Sequence, residues 1–495
     1  MGKNISTSWA SLGVRAILVF LVNPYIIHTL GNDRYGVWVL AVSIINYMTI
    51  LDLGLKQALI RFISKFLGLG EYDKINALLN TGFIIYSLVS LAVIGLTLIL
   101  SFFALDWFKI PSDLVWQGRV VLFLVGINTA LNFGLLCWGD SHGAFHRFDI
   151  TYGLMIAEDI LRTGAIIILF KSGYGLIPFA LCYVVFGFLK MIAGAVILRR
   201  IRPEIRINPR LANRETFRTL VNYGFISFLI SIAWLLIANT DNVLIGYFLD
   251  ASSVTMYAIA AGFIVYLRSF VLAVSFPLRP MISHYEALNK KDNIRFIYTR
   301  GTKYLYFATF MVAGGLMVFG GPMIKLWMGP GYDQSAMILR ILILPAAAFL
   351  PQSIANSIMY GVEKHKYLLY VIIAEGIFNL VLSIILVRYY ELAGVAYGTA
   401  IPQVIIYVIA VPVMIKMILD INLAAFYRNM LKASLTALAV SFLISRFLCF
   451  LKPPENWAVF FAEIAAVGMA GVLAAGLIFD REEIRTIISR LSGKA

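Results

Sequence analysis

The chain has 495 residues, 61% of them apolar and only 14% charged, whereas a soluble globular domain carries about a quarter charged residues. That balance excludes an ordinary soluble protein and predicts a chain built for lipid, with no polar block long enough to form a separate soluble domain. The formal charge of +15 is no sign of nucleic acid, which is not expected as a partner, because the basic residues sort by membrane side.

A membrane-crossing helix needs about 20 mostly apolar residues. Fourteen stretches qualify: 8–28, 36–55, 78–104, 115–138, 151–171, 174–198, 217–241, 252–284, 300–326, 335–361, 367–390, 393–418, 428–450 and 457–479. Membrane β-strands alternate over about 10 residues, and these runs do not. The expectation is an all-α integral membrane protein of about 14 transmembrane helices.

MGKNISTSW runs into span one without a small-residue cleavage site, so span one is read as an uncleaved membrane helix. Span one carries Arg15 and no acid. A central Arg costs about 2.5–3.5 kcal/mol on insertion scales and faces a cavity or a partner. An anionic substrate would meet that need, and so would an acid from another span, with Asp241 and Glu375 available. Lys56 and Arg61 end span two. With Arg279 at the end of span eight they form either a positive inner mouth that collects an anionic head group or ordinary inner-side anchors. Arg119 and Arg340 lie near the outer surface and can snorkel.

In span five, MIAEDILRTG sets Glu158 and Arg162 four apart on one helix face, a self-neutralising pair. Arg162 is also a candidate for substrate contact, and Asp159 for ion coupling. Lys190 lies inside span six and is assigned no role. The basic segment RRIRPEIRINPRLANRETFR (199–218) joins spans six and seven and suits topology and contact with anionic lipid heads. Span seven ends on NTDN (239–242), where Asp241 is either a proton carrier or a cap at an outer helix end. Span eight carries Arg268 deep and, like span one, has no acid of its own, so Arg268 too is a candidate for contact with an anionic substrate or for pairing with an acid from another span. Span eleven holds Glu375, eight residues from the inner end and the better-placed acid for ion coupling, with Asn379 one turn on as its hydrogen-bond partner.

With the N-terminus inside, the inner loops and tails hold most of the 41 Lys and Arg, while the outer side holds Arg34, Lys109, Lys171, Lys325, Arg388, Arg446 and Lys452. Cytoplasmic loops carry the excess of Lys and Arg, so both termini are expected in the cytoplasm. Trp9, Trp38, Trp107, Trp116, Trp138, Trp327 and Trp457 fall near span ends, as interfacial rings do. Trp234 lies inside span seven.

Residues 59–82 (LIRFISKFLGLGEYDKINALLNTG) echo residues 278–301 (LRPMISHYEALNKKDNIRFIYTRG) without a gap. Leu59/Leu278, Ile63/Ile282, Ser64/Ser283, Leu69/Leu288, Asp73/Asp292, Ile75/Ile294 and Gly82/Gly301 agree. This offset of 219 maps span two onto eight and three onto nine, a parallel repeat of six-span units about an axis along the membrane normal. The expected organisation is a first lobe at 1–198, a basic linker at 199–216, a second lobe at 217–418, and two further spans with a cytoplasmic tail at 419–495. Two such lobes would leave a cleft that rocks open to either side. Pro24, Pro277, Pro280, Pro345, Pro351, Pro402 and Pro412 mark places where spans kink.

Cys137, Cys182 and Cys449 sit singly in apolar runs and read as packing residues. There is no phosphate-binding GxxxxGK[ST] and no HExxH, so no cofactor or metal is expected beyond a coupling proton or sodium ion, and the chain is not expected to be an enzyme.

LGNDRYGVW (30–38), LDLGLKQALIRFISKF (51–66) and GEYDKINALLNTG (70–82) resemble the N-terminal pattern of polysaccharide transporters, and of O-antigen (Wzx-type) flippases in particular, within the multidrug/oligosaccharidyl-lipid/polysaccharide exporter superfamily. The sharp motif covers about residues 10–85, and the span layout covers the whole chain. The resemblance implies a carrier of undecaprenyl-pyrophosphate-linked oligosaccharide from the inner to the outer leaflet of a bacterial inner membrane. It also implies a cationic cavity, contacts with membrane lipids, coupling to a proton or sodium gradient, and work beside a glycan polymerase and chain-length regulator. Arg15 in an acid-free span one favours an anionic cargo. Asp159 and Asp241 keep a drug-exporter reading open, and a non-transporting scaffold is the third.

Overall fold

A computed structural model describes residues 2–451 and 454–478; Lys452 and the expected tail, 479–495, lie outside them. Every regular element among the described residues is helical, and the chain is an all-α membrane protein. In chain order the helices are α1 (Gly2–Leu30), α2 (Asn32–Asn46), α3 (Leu55–Leu69), α4 (Tyr72–Phe103), α5 (Ser112–Gly139), α6 (Phe148–Lys171), α7 (Leu176–Ile201), α8 (Arg214–Phe248) and α9 (Ala251–Ser275). They continue with α10 (Leu278–Ala287), α11 (Lys291–Met328), α12 (Asp333–Phe349), α13 (Ser353–Gly361), α14 (His365–Val404), α15 (Val411–Leu419), α16 (Leu423–Leu451) and α17 (Trp457–Ile478). Packing divides the chain into two compact units, 1–255 and 256–495. α8, expected to open the second lobe, packs on α2, α3 and α4 within the first unit.

Eleven segments among the described residues are long and apolar enough to cross a bilayer. One of them, Lys366–Leu419, holds two spans, because the backbone leaves the helix at Glu391 (φ 48°). With α6 and α8 the number reaches fourteen. α6 falls outside the eleven because Glu158, Asp159 and Arg162 sit together at its middle.

Two spans are built differently from the sequence expectation. Span two is not one helix running to Lys56. α2 passes into a tight 3-10 segment, Tyr47–Asp52, and the chain turns through left-handed Leu53 (φ 51°) and Gly54 (φ 73°). Lys56 and Arg61 therefore lie in α3, a separate amphipathic helix that buries Leu55, Ala58, Leu59 and Ile63. Span eight likewise breaks at Pro277, which precedes α10 and cannot donate a helical N–H. Elsewhere proline and irregular backbone also coincide: Pro351 lies in a 3-10 turn, and Pro402 precedes a π segment at Ile405–Ala410.

The repeat is visible in the backbone. Gly70 and Asn289 both take the left-handed conformation (φ 71° and 54°), and α4 and α11 begin at Tyr72 and Lys291, all at the offset of 219. Ile63 and Ile282 are fully buried, as are Ile75 and Ile294. The shared residues thus encode one local structure twice: an amphipathic helix, a left-handed turn and the entry of a long span.

Lipid tails are as apolar as Leu, so helices in a bilayer associate through close packing and small residues. α5 and α7 meet at such a contact. A Cβ on Gly194 would lie 2.1 Å from the Gly139 carbonyl oxygen, and His142 Nε2 lies 3.1 Å from the Gly194 carbonyl oxygen. Gly194→Val should force these backbones apart and cost about 1–3 kcal/mol. Gly153→Val on α6, where nothing lies within 4 Å, should be tolerated. Thermal unfolding of the two purified variants in detergent checks the difference.

Candidate functional site

α1, α6 and α7 pack side by side in the first unit and enclose a cavity of about 320 Å³. Arg15, Leu18, Val19, Val22 and Ile26 reach it from α1, spaced three and four apart so that they share a helix face. Glu158, Asp159 and Arg162 reach it from α6, and Tyr183 and Lys190 from α7.

The charged groups are tied together. Arg162 donates to Glu158 at 2.5 Å and to Asp159 at 2.5 Å. Lys190 Nζ lies 2.8 Å from Glu158, and Arg15 Nε 3.1 Å from Asp159. The Arg162 guanidinium also stands 4.4 Å from the centre of the Tyr183 ring, a cation–π contact. Tyr183 in turn leans on Trp38 and Phe179. Three cations face two carboxylates, a surplus of one positive charge. The Arg15 side chain is 47% exposed against 10% for Asp159, so Arg15 keeps guanidinium donors available to a guest.

The expected pairing of Glu158 with Arg162 is present. The partner of Arg15 is Asp159, neither Asp241 nor Glu375, so the pairing runs between spans one and five. Lys190, assigned no role from sequence, completes the cluster; its presence inside span six was the available signal. Lys56 does not stand alone at a positive mouth but pairs with Asp140 at 2.8 Å. Arg61 is exposed on α3. Arg279 lies between the rings of Phe276 and Tyr360, at 4.5 and 4.4 Å.

Asp241 is no cap. It is 7% exposed and lies inside α8, which runs on to Phe248. Its neighbours Asn239, Thr240 and Asn242 bond to Asn46, Tyr47 and Ser43. In the second unit Glu375 is 2% exposed and accepts from Tyr407 at 2.8 Å, with Arg268 in electrostatic contact with both. Asn379 donates to Thr399 at 2.7 Å rather than serving Glu375. Glu158 and Glu375 are 217 positions apart, and so are their partners Lys190 and Tyr407. That spacing is two short of the 219 of the repeat, so each unit carries a spanning acid near, but not at, the position the repeat register matches, with a lysine against one and a tyrosine against the other.

A second cavity of the first unit, of about 590 Å³, is lined by Asp52, Lys56, Asn132, Asp140, Trp234 and others, and it shares Lys190 with the first.

The sequence pattern of the family described as "Polysaccharide biosynthesis protein" matches residues 1–286. The chain belongs to that family. It is 23% identical over 363 residues to the "uncharacterized membrane protein EpsK" of Bacillus subtilis, covering 70% of each chain. In fold it is similar to the lipid II flippase MurJ in an inward closed conformation, with a TM-score of 0.76, 16% identity, and coverage of 97% of this chain and 98% of that one. A multidrug resistance MATE family transporter in an inward-facing conformation aligns with a TM-score of 0.68 and 15% identity over 83% of this chain and 95% of that one. This chain thus shares a helical architecture with membrane transporters, and the charged cluster lies within the stretch that the family pattern covers.

Arg162 holds two carboxylates and a ring, whereas Arg15 holds one carboxylate from a half-exposed position. Removing one partner of a buried ion pair leaves an uncompensated charge. Arg162→Met should therefore lower the melting temperature of the purified protein by several degrees, and Arg15→Met by much less; thermal scans of both in nanodiscs check the order.

Proposed function

We infer that the chain moves a lipid-linked oligosaccharide, borne on undecaprenyl pyrophosphate, from the inner to the outer leaflet of a bacterial inner membrane, with both termini cytoplasmic. The observation that carries this reading is the cavity where Arg15, Arg162 and Lys190 outnumber Glu158 and Asp159. Arginine offers a planar fork of donors suited to phosphate oxygens, and lysine a mobile point charge. Family membership supports the glycan, and the likeness in fold to a lipid flippase supports movement by alternating access. The lipid tail stays in the bilayer while the head group enters, so the protein shields only the polar part of the cargo.

Charge competition supplies a coupling step. A diphosphate and an ionised Asp159 draw on the same two arginines. Protonating Asp159, or drawing it towards a sodium ion, releases Arg15 and part of Arg162 to the cargo, and the reverse exchange expels the cargo. Asp241 and Glu375 remain the other acids that could serve coupling. The carboxylates of the cluster, Glu158 and Asp159, are the observation in favour of a cationic-drug exporter. Against it, every acid of the cluster is already engaged by a cation.

Purified protein in proteoliposomes should move undecaprenyl-pyrophosphate-linked oligosaccharide between leaflets, read by oxidation with membrane-impermeant periodate. Lys190→Gln removes a charge-assisted contact of about 1.5–3 kcal/mol and should slow movement by about ten- to a hundredfold. Export of cationic dyes in place of the lipid would favour the exporter. Failure with several glycans and both ion gradients would favour the scaffold.

Asp159→Asn should bind undecaprenyl pyrophosphate more tightly than the wild type and lose the dependence of transport on an ion gradient. Binding titrations and transport with the gradient collapsed check both halves.

A further inference from the structure

The cavity of about 590 Å³ that adjoins the charged cluster through Lys190 has the opposite chemistry. Its own charges are Asp52 and Asp140 against Lys56, with Lys190 shared. Lys56 pairs with Asp140 at 2.8 Å and is in electrostatic contact with Asp52, so this cavity has no surplus cation of its own to offer a diphosphate.

The neutral polar groups are turned the same way. Thr49 and Thr129 donate their hydroxyl hydrogens to the backbone carbonyls of Asn46 and Val125, at 2.6 and 3.1 Å. Asn132 directs its amide to Asn128, bonding to the backbone and side-chain oxygens at 2.7 and 3.3 Å. A hydroxyl or amide whose hydrogens are used in this way has acceptor capacity left over. Asp52 accepts the Tyr86 hydroxyl at 2.5 Å and the backbone N–H groups of Gly54 and Lys56, which leaves about one of the four positions a carboxylate offers. The polar wall is therefore rich in acceptors, suited to a guest that brings many O–H and N–H donors.

Trp234 is the remaining feature. It is the tryptophan that the sequence places away from the span ends, and it lines this cavity together with Leu235, Phe133 and Leu136. An aromatic face is electron-rich and attracts the slightly positive C–H face of a sugar ring. Acceptors for hydroxyls together with an aromatic ring for C–H groups describe a carbohydrate. The volume lies in the range of pockets that hold small organic ligands.

We propose that this cavity binds the sugar residues next to the diphosphate, through its acceptor wall and Trp234, while the Arg15–Arg162–Lys190 cavity holds the diphosphate. The proposal rests on the flippase reading and divides the head group between two chemically distinct pockets. Lys190, at their junction, would lie near the bond that joins sugar to phosphate.

The test compares two probes on the full chain in nanodiscs: undecaprenyl pyrophosphate, and undecaprenyl pyrophosphate carrying one N-acetylhexosamine, in a panel of epimers. The wild type should bind at least one glycosylated probe about tenfold more tightly than the bare lipid. Trp234→Leu and Asn132→Leu should each erase that difference and leave affinity for the bare lipid unchanged, which also reports that the variants are folded. A wild type that binds the bare lipid and gains nothing from any sugar would overturn the proposal and leave the flippase reading standing. So would variants that keep the sugar increment, or that lose both probes equally. A wild type that binds neither lipid would remove the flippase reading and this subsite together.

Discussion

A charge inside a bilayer must have a partner or a polar cavity, and the first unit is organised around that requirement. Glu158 and Asp159 stand on one turn of α6, far from either end of the helix. They are stable there because α1 brings Arg15, α7 brings Lys190, and α6 itself supplies Arg162. The aromatic stack of Tyr183, Trp38 and Phe179 fixes one face of Arg162. Burial of ions seldom adds stability over an apolar core of the same shape. Under the proposed function the cluster is a site, in which fixed charges are stored ready for a guest that can replace some of them.

Two pockets of unlike chemistry lie side by side in that unit. One has surplus cation and apolar walls from α1; the other has carboxylates, spent hydroxyl donors and Trp234. A lipid-linked glycan has the same division, with an anionic diphosphate beside a hydroxyl-rich sugar. Glycines at the α5–α7 crossing bring those backbones together, while the first pocket lies among α1, α6 and α7 around the charged cluster.

The class of fold was legible because hydropathy is a sum over twenty residues and tolerates local error. Helix ends and breaks were harder. In the run 36–55 Gly54 is the one signal of the turn, since glycine takes positive φ without strain, while Leu53, also left-handed, carries no such mark. The repeat was readable at Asp73/Asp292 and Gly82/Gly301 because both copies keep the same turn and span entry. Partner choice was the least legible part. Glu158 and Arg162 share a helix, so their spacing alone brought them together. The contact of Arg15 with Asp159 joins residues 144 positions apart and needed the packing of α1 on α6. Lys190 and Trp234 were visible as oddities, a lysine and a tryptophan within apolar spans, but their roles appear only when the cavities that they line are seen.

The most direct measurement of the central claim is a structure of the full chain in nanodiscs saturated with undecaprenyl pyrophosphate. The account predicts diphosphate density against Arg15, Arg162 and Lys190, with at least one of their contacts to Glu158 or Asp159 lengthened to make room. Diphosphate density held elsewhere in the protein, with all four ion pairs of the cluster intact, would contradict it.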